Sequence, residues 1–150
     1  MSKISKDIPL SEITLRRYEK PNLQGRDLVR KLCLSLGLLQ PGDSRDVIVD
    51  VLHLMLKEKK EYNSEEVRQK VIDYRKENKL ALLGVASSNI RRQLKRLRDL
   101  FLIEKVKNNY RITENLSMND ILKEKIHKLM LPSIIERVND YFEAVDREFQ

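Results

Sequence analysis

The sequence predicts a mainly α chain in which three helices are followed by a β-hairpin, with further helical segments at both ends. Three observations carry this. Apolar residues recur at helical spacing through most of the chain before residue 100. Between Leu102 and Thr113 the period shortens to that of strands. After Ser117 the helical period returns. Glycine and proline number four each, so the breaks they mark stand out.

The elements follow in order. Pro21-Asn22-Leu23-Gln24-Gly25 separates a short N-terminal segment from a helix near residues 26–38. Pro41-Gly42-Asp43-Ser44 marks a turn and an N-cap, and a helix from Ser44 to Lys60 should follow. Its apolar positions Val47, Ile48, Val51, Leu52, Met55 and Leu56 form a wide stripe, which suits the most buried helix of the domain. Asn63 or Ser64 caps the next helix, with Glu66 placed for a capping box, and this helix runs to Lys79. Leu80 to Val85 is a short apolar connection containing Gly84. Ser87-Ser88-Asn89 offers a further N-cap. Leu102–Lys107 and Tyr110–Thr113 read as two strands, with Asn108-Asn109 at a tight turn because Asn tolerates positive φ. Ser117 with Asp120 caps another helix that reaches Met130. Pro132 ends or kinks it, and Ser133 with Glu136 makes a new capping box. Ile135, Val138, Phe142, Val145 and Phe149 then repeat at spacings of three and four over two heptads. The implied organisation is an N-terminal helical segment over 1–43, a domain over 44–114 and a helical extension over 115–150.

Composition narrows the function. Hydrophobic residues make up 41% and charged residues 35%, which excludes a disordered tail. No apolar run approaches the roughly 18 residues of a membrane span. Met1-Ser2-Lys3-Ile4 leads into no leader-like apolar stretch, so a cytoplasmic protein is expected. Cys33 stands alone in Leu32-Cys33-Leu34, where it reads as a small buried hydrophobe. The formal net charge is +7, and it is concentrated. Residues 86–111 hold eight basic and two acidic side chains, while residues 112–150 hold five and eight. A focused basic patch is what a polyanion-binding surface requires.

That patch centres on the helix from Ser87 to Asp99. At about 100° per residue, Ile90, Leu94 and Leu97 point inward together. Ser88, Arg92, Lys95 and Arg96 lie on the opposite side, with Asn89 and Arg91 on its flanks. Arg and Asn can bond guanine and adenine edges in a bidentate manner, while Ser and Lys hold phosphates. One amphipathic helix can therefore pack with one face and read the major groove with the other. Lys105, Lys107, Asn108, Asn109 and Arg111 make the hairpin that follows a second basic element.

The run from Ser88 to Val106, followed by Tyr110-Arg111-Ile112-Thr113, resembles the recognition helix and wing of winged helix-turn-helix transcription regulators. The resemblance covers residues 44–114. Two features depart from the family pattern. Phe101 stands where a glycine is usual, and a corner that needs positive φ puts Phe under strain. The connection before Ser87 is also longer than a standard turn.

The resemblance implies a duplex DNA-binding protein, a dimeric transcription regulator that reads the major groove with helix 87–99. Its hairpin would contact backbone or minor groove. It also implies that Ile135, Val138, Phe142, Val145 and Phe149 form a homodimer seam. The same heptad instead docks on its own domain in an alternative arrangement, and Leu28, Leu32 and Leu36 are available to either. A second reading is a winged-helix module that binds protein within a nucleic-acid-processing assembly, though such modules carry a less basic helix. RNA binding is a third, weakened by the absence of aromatic residues from the outward helix face. No enzymatic activity and no cofactor is expected. His53 and His127 are isolated from other metal-ligating residues, and no phosphate loop or nucleophile motif occurs.

Overall fold

The computed structural model describes Ile13 and residues 15–150. The Met1-Ser2-Lys3-Ile4 segment read for a leader lies outside the described residues. The elements are α1 (Gly25–Ser35), α2 (Val47–Glu58), α3 (Ser64–Glu77), α4 (Ser87–Asp99), β1 (Ile103–Val106), β2 (Asn109–Ile112), α5 (Met118–Ile121) and α6 (Leu131–Glu148). A 3-10 turn, Thr113–Asn115, follows β2, and a π-helical stretch, Leu122–Met130, joins α5 to α6. The chain is mainly helical with one two-stranded antiparallel sheet.

α2 lies at the centre. Val47, Ile48, Val49, Val51, Leu52 and Met55 are all buried, so more than one face of this helix is covered. α1, α3 and α4 each pack against it. Val67 and Val71 come from α3, Ile90, Leu94 and Leu97 from α4, and Ile103, Tyr110 and Ile112 from the hairpin. The same core takes Val29 and Cys33 from α1 and Ile121, Ile126 and Met130 from the C-terminal portion.

An ionic cluster crosses this apolar interior. Asp50 and Arg75 are each only 3% exposed. The Arg75 guanidinium donates to Asp50 and, at 3.2 Å, to Asp46. Arg26 Nε donates to Asp50 at 2.8 Å, and Arg26 Nη2 pairs with Asp46 at 2.9 Å. Arg30 reaches Asp46 at 3.2 Å. Arg75 Nε also donates to the Ala81 carbonyl at 2.7 Å. Two carboxylates on or beside α2 thereby hold three arginines of α1 and α3. Burial alone would raise the Asp46 pKa, but the hydrogen bonds and charge of Arg26 and Arg75 outweigh it and hold the carboxyl below its ordinary value.

Asp46 has a second consequence. It occupies the N-cap position of α2 without making a side-chain cap bond. The helix starts at Val47 and not at Ser44, and the carboxylate at its N-cap is bound to arginines. The capping box at the start of α3 is present as expected: Asn63 accepts from the Glu66 amide at 2.9 Å, and Glu66 accepts from the Asn63 amide at 3.0 Å.

Three helices end in the same left-handed turn. After α1, Gly37 (φ 73°) lets the Leu38 amide donate to Cys33. After α3, Lys79 (φ 55°) lets Leu80 donate to Arg75. After α4, Phe101 (φ 62°) lets Leu102 donate to Leu97. These are Schellman closures, which normally place glycine at the left-handed position. They also explain why α1 and α3 stop two or three residues before the sequence pattern suggests.

The hairpin and C-terminal region correct two expectations. Val106 pairs with Asn109, so the turn is Lys107-Asn108, and Asn109 belongs to β2. Lys107, and not an Asn, carries the positive φ of 58°. At the other end, Ser117 accepts from the Asp120 amide as expected. Pro132, however, does not break the helix, and Ser133 with Glu136 makes no capping box. Leu122 and Leu131 keep right-handed helical dihedrals at the junctions. The wider π turn precedes the proline, where the ring would crowd an ordinary α turn. Ser133 Oγ donates to the Met130 carbonyl inside the helix.

Removing one partner of a buried ion cluster leaves uncompensated charge. Asp50→Ala is therefore expected to lower stability by about 3–5 kcal/mol in urea titration. Lys79→Gly is expected to raise it by about 1 kcal/mol by relieving the left-handed conformation. A depressed carboxylate stabilises the fold above its unfolded pKa of about 3.9 and ceases to as pH falls through the lower folded value. The Asp46 contribution is thus complete at neutral pH, and the urea midpoint should fall below about pH 4.

Candidate nucleic-acid interface

α4 spans the residues expected, Ser87 to Asp99, and buries Ile90, Leu94 and Leu97 completely. The N-cap is Ala86, which has no side-chain bond to offer. Ser87 Oγ instead donates to Glu65 at 2.8 Å.

The two flanks of α4 have different fates. On one flank, Asn89, Gln93 and Arg96 follow one another at helical spacing and are bound to the protein itself. The Asn89 amide donates to the Gly84 carbonyl at 2.7 Å and accepts from Gln93 at 3.0 Å. Arg96 donates to Gln93 at 2.9 Å and to the Leu38 carbonyl at 2.9 Å. Asn89 and Arg96 were expected to read bases. Their polar atoms instead fasten α4 to the segment after α1 and to the connection before α4. On the other flank and the outward face, Ser88, Arg91, Arg92, Lys95 and Arg98 are exposed. Arg91, Arg92 and Arg98 have no ion pair among the described residues, and Lys95 pairs with Asp99 at 2.9 Å on the surface.

The connection that aims α4 is itself pinned. Arg68 Nε donates to the Val85 carbonyl at 2.8 Å, and Arg75 holds Ala81. Gly84 has φ 75°, and a Cβ there would meet Asn89 Nδ2 at 3.0 Å and Val47 Cγ2 at 3.5 Å. A side chain there would be strained by the dihedral and would press on Asn89.

In the hairpin, Lys105 lies opposite Tyr110 with Nζ 5.6 Å from the ring centroid. Lys107 and Asn108 are exposed at the tip, and Asn109 is half-buried. Arg111 is bonded within the protein. Its Nε donates to Glu104 at 2.7 Å across the strand pair, and Nη1 lies 3.5 Å from Glu61. Burial would raise the Glu104 pKa, but the Glu114 amide and Arg111 outweigh this and lower it, so the pair stays ionised at neutral pH. Tyr62, just before α3, extends the hairpin by bonding to Tyr110 through both backbone groups, at 3.0 and 2.7 Å.

A groove of about 460 Å³ runs between the end of α4 and the hairpin. Lys95, Arg98, Lys105 and Lys125 line it, together with Asp99, Glu104 and Glu114. Lys125 pairs with Glu114 at 3.6 Å. Arg98 and Lys125 were not among the expected site residues. Arg98 was legible, since it stands three residues after Lys95 on one helix face. Lys125 arrives only through the fold.

The remaining candidates have structural surroundings. Cys33 is fully buried, which pushes its thiol up to about 12. His53 meets Tyr74 edge-on at 5.5 Å, and burial followed by the charge of Lys57 lowers its pKa. Among the described residues, no three His, Cys, Asp or Glu side chains are grouped so as to hold a metal, and no helix is long and apolar enough to cross a membrane. Comparison with protein-family models, curated proteins and solved structures found no match.

The two flanks of α4 should separate in mutagenesis. Arg96→Ala is expected to cost about 1–2 kcal/mol of stability by freeing the Leu38 carbonyl and Gln93. Arg92→Ala should stay within about 0.5 kcal/mol of wild type, as an exposed substitution does. Urea denaturation of both variants checks this.

Proposed function

We propose that the chain binds duplex DNA as a dimeric winged-helix transcription regulator, with α4 in the major groove and the hairpin against backbone or minor groove. One observation carries the reading. The outward face of α4 presents Arg91, Arg92, Lys95 and Arg98 with Asp99 as the one carboxylate of the helix, and the adjoining hairpin adds Lys105 and Lys107. A helix face whose own residues are this predominantly basic suits a phosphate-lined groove. The helix–hairpin order and the left-handed corner at Phe101 further support a winged-helix arrangement. The closed ion pairs of Arg111 and the internal bonds of Asn89 and Arg96 narrow the contact set to Ser88, Arg91, Arg92, Lys95, Arg98, Lys105, Lys107 and Asn108. Ser88 and Arg92 lie nearest the centre of the outward face and are assigned to base edges. The lysines and Arg98 are assigned to phosphates. The exposed stripe Ile135, Val138, Phe142, Val145 and Phe149 is assigned to self-association, which would set half-site spacing near one helical turn of DNA or a multiple.

Fluorescence anisotropy with random duplex DNA at several salt concentrations tests the reading. The four cations per protomer assigned to phosphates predict a log–log salt slope of about −3.6 per protomer. Arg92→Ala should weaken binding to a selected site by about 1–3 kcal/mol. Lys107→Ala should weaken all sequences alike and flatten the slope by about one unit. Unchanged affinity in Arg92→Glu, or no salt dependence in the wild type, would remove the DNA reading.

A further inference from the structure

α6 carries an apolar stripe with nothing on it among the described residues. From Ile135 to the end of the chain every residue is exposed, with Phe142 at 72%. The helix carries five carboxylates against two arginines. Asp146 and Glu148 flank the stripe, while Glu136, Asp140 and Glu143 lie on the far side. Pairing this helix with its own copy along the stripe would bring two net-negative helices together well within the screening length of about 8 Å.

The molecule also has a surface of the opposite character. The extended segment 15–24 lies over α1, fastened by Arg16 to the Leu34 carbonyl at 3.0 Å and by Glu19 to Lys31 at 2.9 Å. Between them runs an open groove of about 730 Å³ with an apolar floor that includes Leu23, Leu28, Leu32 and Leu56. Leu23 and Leu28 are exposed within it. Arg17 and Lys20 stand on its rim without ion pairs among the described residues.

α6 cannot reach the groove of its own chain. Met118, at the start of α5, lines that groove, and the chain stays helical from Met118 to Glu148 with no turn that would fold it back. We propose that the apolar stripe of α6 docks in the basic-rimmed groove between segment 15–24 and α1 of a second copy, each protomer giving its helix and receiving the other's. Ile135, Val138, Phe142 and Val145 supply the helix-in-groove anchor spacing, Asp146 and Glu148 face Arg17 and Lys20, and the exchange closes a two-fold dimer. The proposal rests on the self-association put forward above and not on DNA binding.

Cysteine cross-linking on the full chain separates the arrangements. Cys33 is buried with its thiol pushed up to about 12, so it does not compete near neutral pH. Wild-type protein is expected to sediment as a dimer. Leu28→Cys and Phe142→Cys chains, mixed and oxidised with glutathione disulfide, are expected to form a disulfide between chains, while neither forms one alone. Arg17→Glu with Lys20→Glu should weaken the dimer about tenfold, and Asp146→Lys with Glu148→Lys in the same chain should restore it. A dimer in which Phe142→Cys cross-links to itself overturns groove docking and leaves self-association standing. A disulfide within one chain of the Leu28→Cys/Phe142→Cys double variant, a dimer that cross-links in no combination, or charge reversal without restoration also overturns it. A monomeric wild type removes both readings.

Discussion

The buried cluster of Asp46, Asp50, Arg26 and Arg75 constrains most of what lies around it. A carboxylate in an apolar interior is costly unless each oxygen has a donor. Asp50 meets that condition only when Arg26 of α1 and Arg75 of α3 converge on α2 from different sides. Those two arginines therefore specify where α1 and α3 lie along α2, something apolar contact alone leaves loose. Arg75 extends the constraint, since its Nε holds Ala81 in the connection that leads to α4.

The orientation of α4 follows from that chain of contacts. The connection is tied at Ala81, Gly84 and Val85 by side chains of α3 and α4. The far end of the helix is closed by the left-handed turn at Phe101. Between these ends, Ile90, Leu94 and Leu97 seat the helix on the core, and Asn89, Gln93 and Arg96 bond one flank to its neighbours. The face that remains is a narrow, rigidly aimed basic surface. Such placement is what the proposed DNA binding would need, because base readout requires side chains held in a fixed register against the duplex.

The C-terminal helix is built on a different principle. α5 and the π-helical stretch bury Ile121, Ile126 and Met130 and so belong to the core. Beyond Met130 the chain leaves the core behind while its apolar spacing continues. Among the described residues nothing covers that stripe, which sets it apart from α1, whose apolar positions are divided between the core and an open groove.

Much of this was legible in the sequence. The boundaries of α4, the capping box at Asn63, the hairpin and the inward stripe of Ile90, Leu94 and Leu97 all follow from periodicity and capping chemistry, which act over a few residues. The helical wheel also placed the basic residues away from the core. It did not distinguish the two flanks, because angular distance from the apolar stripe is the same for Arg91 and Asn89. Only the packed neighbours, Leu38 on one side and solvent on the other, make Arg96 structural and leave Arg98 free. Asp50 gave a faint signal as a charge inside the apolar run of α2, and Arg75 another as the third member of the series with Val67 and Val71. Their partnership spans 25 residues, beyond the reach of any local pattern. Local periodicity and capping thus determined which segments are helix or strand and which face of each is apolar. The tertiary structure decided which polar side chains are consumed in holding the fold and which remain available to a partner, because burial and long-range hydrogen bonding exist only once the elements have met.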